Sequence, residues 1–555
     1  MDRKIKILIN NEFSQLATGF STYMKYVLPY LYNTGKYEIL ELARYIDQNN
    51  PLIDLVPWQV IGNMPLNKQE AEIFRQDPLN QFGKFRFDKA LLDFKPDIVI
   101  AIDDPWMSSP YITNSPYRKM FKHIHMVTCD GEPQKTEWMD EYAKYDRLLT
   151  YSLWAKNVLE KQSNGKLKVH AIAAPGADIN IFKPLNKKEK RDAFGLKPEM
   201  FIINTVMRNQ PRKLFPYLFE AFSKYLDLCK THGREDLAAK TFLYCHTSYP
   251  DVGWNIPSEL QRYGVGHKVI FTYLCDYCKS VYPSFFNGDV CKCRVCGNQT
   301  SHMPNTNNGV TREKLAEIMG MADLYIQYST CEGAGMPIND AKSCGVPAMV
   351  VDYSAMTEQA YNGGGIPVKI KNMLRESLAG TNQFRAEPDN DDCAQKIFDF
   401  FSNTQEYRDA LGASARECIE NYYNWTDVAK IWENIIDNLE LPNQEDTWYS
   451  KPKILQPNIS IPNGLNNQQF VEYCFRVILQ QPLSYNDGMF QRAISTLELG
   501  YELVDTPHGM ERRPVNREII LNFVLRQIQA KNMAEEKRYQ YIMGQNKNSL
   551  QFVEV

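Results

Sequence analysis

At 555 residues the chain is too long for one compact core and points to about three folding units. Hydrophobic residues make up 44% and charged residues 23%, close to globular averages, and a net charge of −3 excludes a protein that coats nucleic acid by bulk charge, leaving only a local basic groove open. The start of the chain lacks the apolar core and cleavage site of a secretory signal, and the longest apolar runs are strand-length, far from the ~18–20 residues of a membrane span. The expected compartment is the cytoplasm, where thiols stay reduced and clustered cysteines point to metal.

In chain order, residues 4–10 read as an isoleucine-rich strand, followed by a loop holding Gly19 and a helix-period run, STYMKYVLPYLYNTG. Further strands are expected at 95–102, ending in Asp103 and Asp104, at 123–128, ending in CDGEP, at 148–151 and at 170–174. The pattern then restarts, with strands at 201–207, 241–246, 268–272, 324–328 and 348–351 and helices at 214–229, 312–319 and 338–344. Strands alternating with helices argue for parallel, doubly wound sheets, here two in series. Ligands of such sheets bind at the carboxyl ends of the strands, so two domains imply a cleft between them. The expected divisions are an N-terminal Rossmann-like domain at 1–185, a second at 186–424, a cysteine-rich insertion at 273–308, a crossover helix at 425–440, a linker rich in Asn, Pro and Gln at 441–470, and a helical extension at 471–555. The extension carries equal numbers of basic and acidic residues and reads as a packing or partner-binding module.

Two segments carry the chemistry. In STCEGAGMPINDAKSCGVPAMVVDYSAMTE, Glu332 leaves a strand into the small loop Gly333-Ala334-Gly335-Met336, and Pro337 stands where a helix begins. Small residues let a ligand approach the backbone, and a helix N-terminus offers free N–H groups to an anion. Asp340, eight residues after Glu332, adds a second carboxylate suited to hydroxyls. In VMRNQPRK, Arg208 follows a strand and Lys213 comes five residues later, two fixed cations able to neutralise a diphosphate. Gly19, in the first βα loop, lets the opposite domain approach the same group.

These motifs, in this order, resemble those of retaining nucleotide-sugar glycosyltransferases of the GT-B fold, similar to family 4, over roughly residues 4–440. Glu332, Gly333, Gly335 and Pro337 match the family's E-G-F-G-x-P-x-x-E pattern, with Asp340 at the second acid; Arg208 and Lys213 match its arginine and lysine; and APGADINIFKP resembles its interdomain segment. The resemblance implies two Rossmann-like domains around a cleft, with a nucleotide-sugar donor on the second. Arg208, Lys213 and the loop N–H groups are then expected to stabilise the leaving diphosphate, with no catalytic metal and no protein nucleophile. Many relatives have a histidine where this chain has Cys129-Asp130; Asp130 reads equally as an acceptor- or sugar-contacting carboxylate and as a loop cap.

Cys275-x2-Cys278 and Cys293-x2-Cys296, separated by 14 residues, form a zinc-ribbon pattern. Four thiolates close a tetrahedron, so structural zinc is expected, with Cys291 a fifth candidate. The insertion interrupts the second domain after a strand, near the donor base in the resembling family, at the rim of the cleft.

The leading expectation is a hexosyl- or pentosyltransferase moving a sugar from a nucleotide donor to the hydroxyl of a glycan, protein, small-molecule or nucleic-acid acceptor. One alternative is a phage-type enzyme modifying hydroxymethylated DNA bases; others are a nucleotide-sugar epimerase and a non-catalytic zinc-containing assembly protein on the same fold. The oligomeric state is left unassigned.

Overall fold

The computed structural model describes residues 3–305, 308–376, 381–457, 459–481, 488–506 and 509–550. Near-continuous apolar runs become strands buried on both faces, as parallel sheets require. The first seven strands are β1 (Ile5–Glu12), β2 (Tyr37–Arg44), β3 (Gln59–Gly62), β4 (Ile98–Asp103), β5 (Lys122–Val127), β6 (Arg147–Thr150) and β7 (Val169–Ile172). They form one parallel sheet in the order β3-β2-β1-β4-β5-β6-β7, and every residue of β4 is buried. The strand order reverses direction between β1 and β4, so the crevice of this sheet opens above Glu12 and Asp103.

The second sheet holds β8 (Phe201–Val206), β9 (Thr241–His246), β10 (Val269–Cys275), β11 (Val281–Phe285), β12 (Val290–Cys291), β13 (Ser301–His302), β14 (Leu324–Gln327), β15 (Ala348–Val351) and β16 (Gly365–Val368). Its order is β12-β13-β10-β9-β8-β14-β15-β16, with β11 paired to β10. The reversal falls between β8 and β14, whose ends lead into Lys213 and Glu332. The antiparallel strands β11 to β13 carry the cysteine insertion, which therefore extends the sheet at its β10 edge. Tyr282, Cys291 and Met303 pack into the same hydrophobic cluster as the second domain, so the insertion shares that core.

One antiparallel pair, β17 (Ile370–Arg375) with β18 (Phe384–Pro388), lies beyond the sheets. No local pattern in the sequence announces it. It reaches back to the first domain: the Phe384 N–H donates to the Glu132 carbonyl at 2.7 Å.

The chain passes between the domains twice, side by side, with Ala177 bridged to Asn424. Helix Trp425–Asp437 then docks on helix Gly19–Asn33. Trp425 stacks on Tyr26 with ring centres 4.8 Å apart, and the Trp432 indole donates to the Tyr23 hydroxyl at 2.9 Å. The expected linker is anchored to the first domain: Trp448 is fully buried, its indole donating to the Pro96 carbonyl at 2.9 Å, and Gln444 donates to the Lys95 carbonyl at 2.9 Å. Composition points to a solvated segment; a single large apolar side chain overrides it.

The extension has its own small core of Phe470, Cys474, Phe475, Phe490, Val524 and their neighbours. It is not wholly helical. Gly500, at φ 76, ends helix Gly488–Leu499, and the alternating YELVDT pairs antiparallel with GMERRP as a hairpin, Tyr501 opposite Pro514. Helix Arg517–Leu550 returns to the first domain. There Arg538, fully buried, donates to the Trp448 and Ser450 carbonyls, and Tyr541 bonds to Asp93. Among the described residues no helix is long and apolar enough to cross a membrane.

Candidate functional site

The floor of the site is built by backbone pairing between the segments after β8 and β14. The Leu214 N–H donates to the Tyr328 carbonyl and the Thr330 N–H to the Arg212 carbonyl, both at 2.9 Å, which sets Lys213 beside Ser329. Loop 247–254 clamps the outer side. Asn209 exchanges hydrogen bonds with the Trp254 backbone at 2.8 and 2.9 Å, and the Trp254 indole donates to the Lys213 carbonyl at 2.8 Å.

Lys213 and Glu332 form a buried ion pair, their side chains 9% and 7% exposed. The Glu332 carboxylate also accepts from Arg212 at 3.0 Å and from Gln327 and Ser329 at 2.7 Å. Burial works to raise this carboxyl, but Lys213 and Arg212 outweigh it and hold Glu332 well below the ordinary carboxylate range. A carboxylate so fixed in its ionised form accepts hydrogen bonds and cannot donate a proton at neutral pH.

The loop after Glu332 closes against the other domain. A Cβ on Gly333 would lie 2.6 Å from Thr128 Cγ2, so only glycine fits between the two loops. Gly335 has φ 69 and stands at the N-cap of helix Met336–Ser343, in whose first turn Pro337 sits. Gly19 is the first residue of its helix, two residues earlier than the sequence pattern places the start, and faces Met336 across the cleft, where a Cβ on it would lie 3.5 Å from Met336 Cε. Two helix N-termini thus approach each other near Ala334 and Met336, both partly buried against the first domain's cluster.

The remaining expected residues are placed differently from one another. Arg208 lies outside the buried cluster, 45% exposed, in a two-point ion pair with Asp251 at 2.8 and 2.9 Å. Arg212, which the motif spacing does not single out, is the arginine that touches Glu332. Asp340 faces Arg312 at 3.4 Å. Burial pushes its carboxyl up to about 7, Asp178 adds to the rise and Arg312 opposes it. Asp130 is bound across the interface, to Arg385 at 3.2 Å and to the Cys331 thiol at 3.3 Å. Arg385 also pairs with Glu376 at 2.9 Å; it stands on β18, a strand without a local signature, and so escapes a reading of motifs.

Cys275, Cys278, Cys293 and Cys296 bring all four sulfurs within 4.8 Å of one another, and Cys291 is not among them. The Cys275–Cys296 and Cys278–Cys293 sulfur separations are 3.7 and 3.8 Å. A tetrahedral zinc with ~2.3 Å Zn–S bonds has sulfur–sulfur edges of about 3.8 Å, so the four thiols fit that ion. The group sits where β10 ends, on the side of the sheet from which Arg208 and Glu332 also emerge.

Two facing doubly wound domains, a cleft between their switch points and a chain that crosses back at the end make up the GT-B architecture of glycosyltransferases. Three solved structures share it. Sucrose-phosphate synthase from Thermosynechococcus elongatus aligns with a TM-score of 0.57 at 16% identity, covering 78% of this chain and 98% of that one. Anabaena HepE, solved in complex with UDP-glucose, aligns at 0.52 with 12% identity over 78% and 100%. WaaG, a glycosyltransferase involved in lipopolysaccharide biosynthesis, aligns at 0.50 with 12% identity over 78% and 100%. No family model matches the chain, and no curated protein matches it in sequence.

Proposed function

We propose that the protein transfers a sugar from a nucleoside-diphosphate sugar to an acceptor hydroxyl, with retention of anomeric configuration and without a catalytic metal. The observation that carries this reading is the buried Lys213–Glu332 pair at the switch point of the second sheet, beside the N-terminus of helix Met336–Ser343. In this reading Lys213, Arg212 and the helix N–H groups supply the positive charge that a departing diphosphate needs. Glu332 holds Lys213 and Arg212 in place and accepts a donor-sugar hydroxyl. The acceptor oxygen forms its bond to the anomeric carbon as the carbon–phosphate oxygen bond breaks on the same face. The hydroxyl proton passes to the leaving phosphate oxygen, so no protein nucleophile is called on. Arg208 serves as an outer cation that Asp251 releases when the diphosphate enters. The four cysteines hold a structural zinc that fixes the β10 edge of the donor domain.

The test is nucleoside-diphosphate release from a panel of UDP-, GDP- and ADP-sugars. One donor is expected to be slowly hydrolysed without acceptor, and Lys213→Ala to slow that release by about 10²–10³-fold. Release by Lys213→Ala at the wild-type rate removes the assignment.

A further inference from the structure

The first domain's half of the cleft has a chemical character of its own. At the carboxyl ends of β1, β2 and β4 stand Glu12, Tyr45, Asp104 and Trp106, with Asp130 beside them. Trp106 is 48% exposed, yet it is braced from below by Phe82, the rings perpendicular with centres 5.2 Å apart. Tyr45 is 41% exposed and held at φ 65, a left-handed conformation that costs a bulky residue energy and that the fold maintains nonetheless. Next to Glu12, the amide oxygen of Asn11 is buried without a partner. Two arginines close to these carboxylates are already engaged: Arg44 with Asp103 at 2.5 Å, both side chains fully buried, and Arg385 with Asp130 and Glu376.

We propose, on the reading that this cleft transfers a sugar, that the acceptor is an uncharged, hydroxyl-rich molecule, a saccharide, whose ring packs on Trp106 and whose hydroxyls are received by Asp104 and Glu12. A braced, half-exposed indole offers a flat apolar face to the C–H face of a sugar ring. Carboxylates are acceptor-only groups and match hydroxyl donors. A nucleic-acid acceptor is disfavoured by the same residues. Its phosphates would meet Glu12 and Asp104, while Arg44 and Arg385 are held by carboxylates of the protein. Burial raises both carboxyls, Asp104 up to about 7 with Asp130 and Asp103 adding to the rise, so near neutral pH Asp104 also donates, when protonated, to a sugar oxygen.

The experiment uses the full chain and radiolabelled donor from the nucleotide-sugar panel. The acceptors are maltose, cellobiose and methyl α-D-mannoside on one side and a duplex containing hydroxymethylcytosine on the other. Label is expected on a saccharide and not on the duplex. Trp106→Ala and Asp104→Asn should each lower kcat/KM for that saccharide by about tenfold or more, with the Trp106 loss mainly in KM. Tyr407→Ala, an exposed aromatic on the distant helix Gln405–Tyr422, should change neither. Label on the duplex, donor hydrolysis that none of the three saccharides diverts into transfer, or unchanged saccharide kinetics in both variants would each overturn the proposal. Failure of the wild type to release nucleotide from any donor would instead sink the glycosyl-transfer reading on which it rests.

Discussion

Replacing Lys213 by Met and Glu332 by Gln, singly and together, measures the pair at the floor of the cleft. Met keeps the length of the lysine stem and removes its charge. It leaves the Glu332 carboxylate with Arg212 at 3.0 Å and with Gln327 and Ser329 at 2.7 Å, but without the cation in closest contact. Glu332→Gln leaves Lys213 buried with no counter-charge. Glu332→Gln strands Lys213, at a cost of ~3–5 kcal/mol, whereas Lys213→Met leaves Glu332 the Arg212 cation and should cost less. The double variant strands neither and should fall short of the sum of the singles by ~3 kcal/mol. Urea denaturation followed by tryptophan fluorescence reads this out. Trp254, bonded to the Lys213 carbonyl at 2.8 Å, reports from the affected loop. Slopes must agree among the four proteins, because two domains need not unfold as one. Costs that add within ~0.5 kcal/mol would show that the two side chains do not touch, and the geometry on which the mechanism stands would fall.

Three other outcomes follow from the site. Asp340 has a folded-state carboxyl near 7 against an unfolded value near 4, so the native state binds the extra proton and stability falls as pH rises through that window. Asp340→Asn should flatten the stability-versus-pH curve between about pH 4 and 7 and be a few kcal/mol more stable than wild type above it; an unchanged slope contradicts the assignment. Gly333→Ala places a methyl 2.6 Å from Thr128 Cγ2 and should cut turnover about tenfold or more by holding the domains apart, while adding Thr128→Ala should restore most of it. Metal analysis of the purified chain should give one zinc; Cys278→Ser should lose it and lower the thermal midpoint, whereas Cys291→Ser should retain it.

The parts of the fold visible in the sequence are those set by local pattern. The buried strands betray themselves as unbroken apolar runs, the four cysteines as two x2 pairs, and the Glu332 loop as small residues ahead of a helix-starting proline. What escapes is decided by partners far along the chain. Five-residue spacing favours Arg208 over its neighbour, but Asp251, 43 residues downstream, captures Arg208, and the turn in which the Lys213 N–H bonds to the Gln210 carbonyl swings Arg212 onto Glu332. Asp340 keeps its helical position, yet Arg312 from a separate helix fixes where its carboxylate points. Arg385 lies on a strand whose partner, β17, is mostly exposed and mixes apolar with polar residues without alternation, so periodicity holds no hint of it. The segment around Trp448 has the composition of a tether, and only the slot under Pro96 reveals it as an anchor.

That anchor bears on how the molecule moves. The described segments after Asn424 are fastened to the first domain, by Trp425, Trp432, Trp448 and Tyr541 in turn, and the two interdomain passages run side by side at Ala177 and Asn424. The extension is therefore a passenger of the first domain, and any swing of the second is expected to turn about the paired passages like a page on its spine. A fluorophore pair spanning Leu499 and Tyr407 would register each opening and closing, while a pair spanning Leu499 and Leu55 would stay silent through the same cycle.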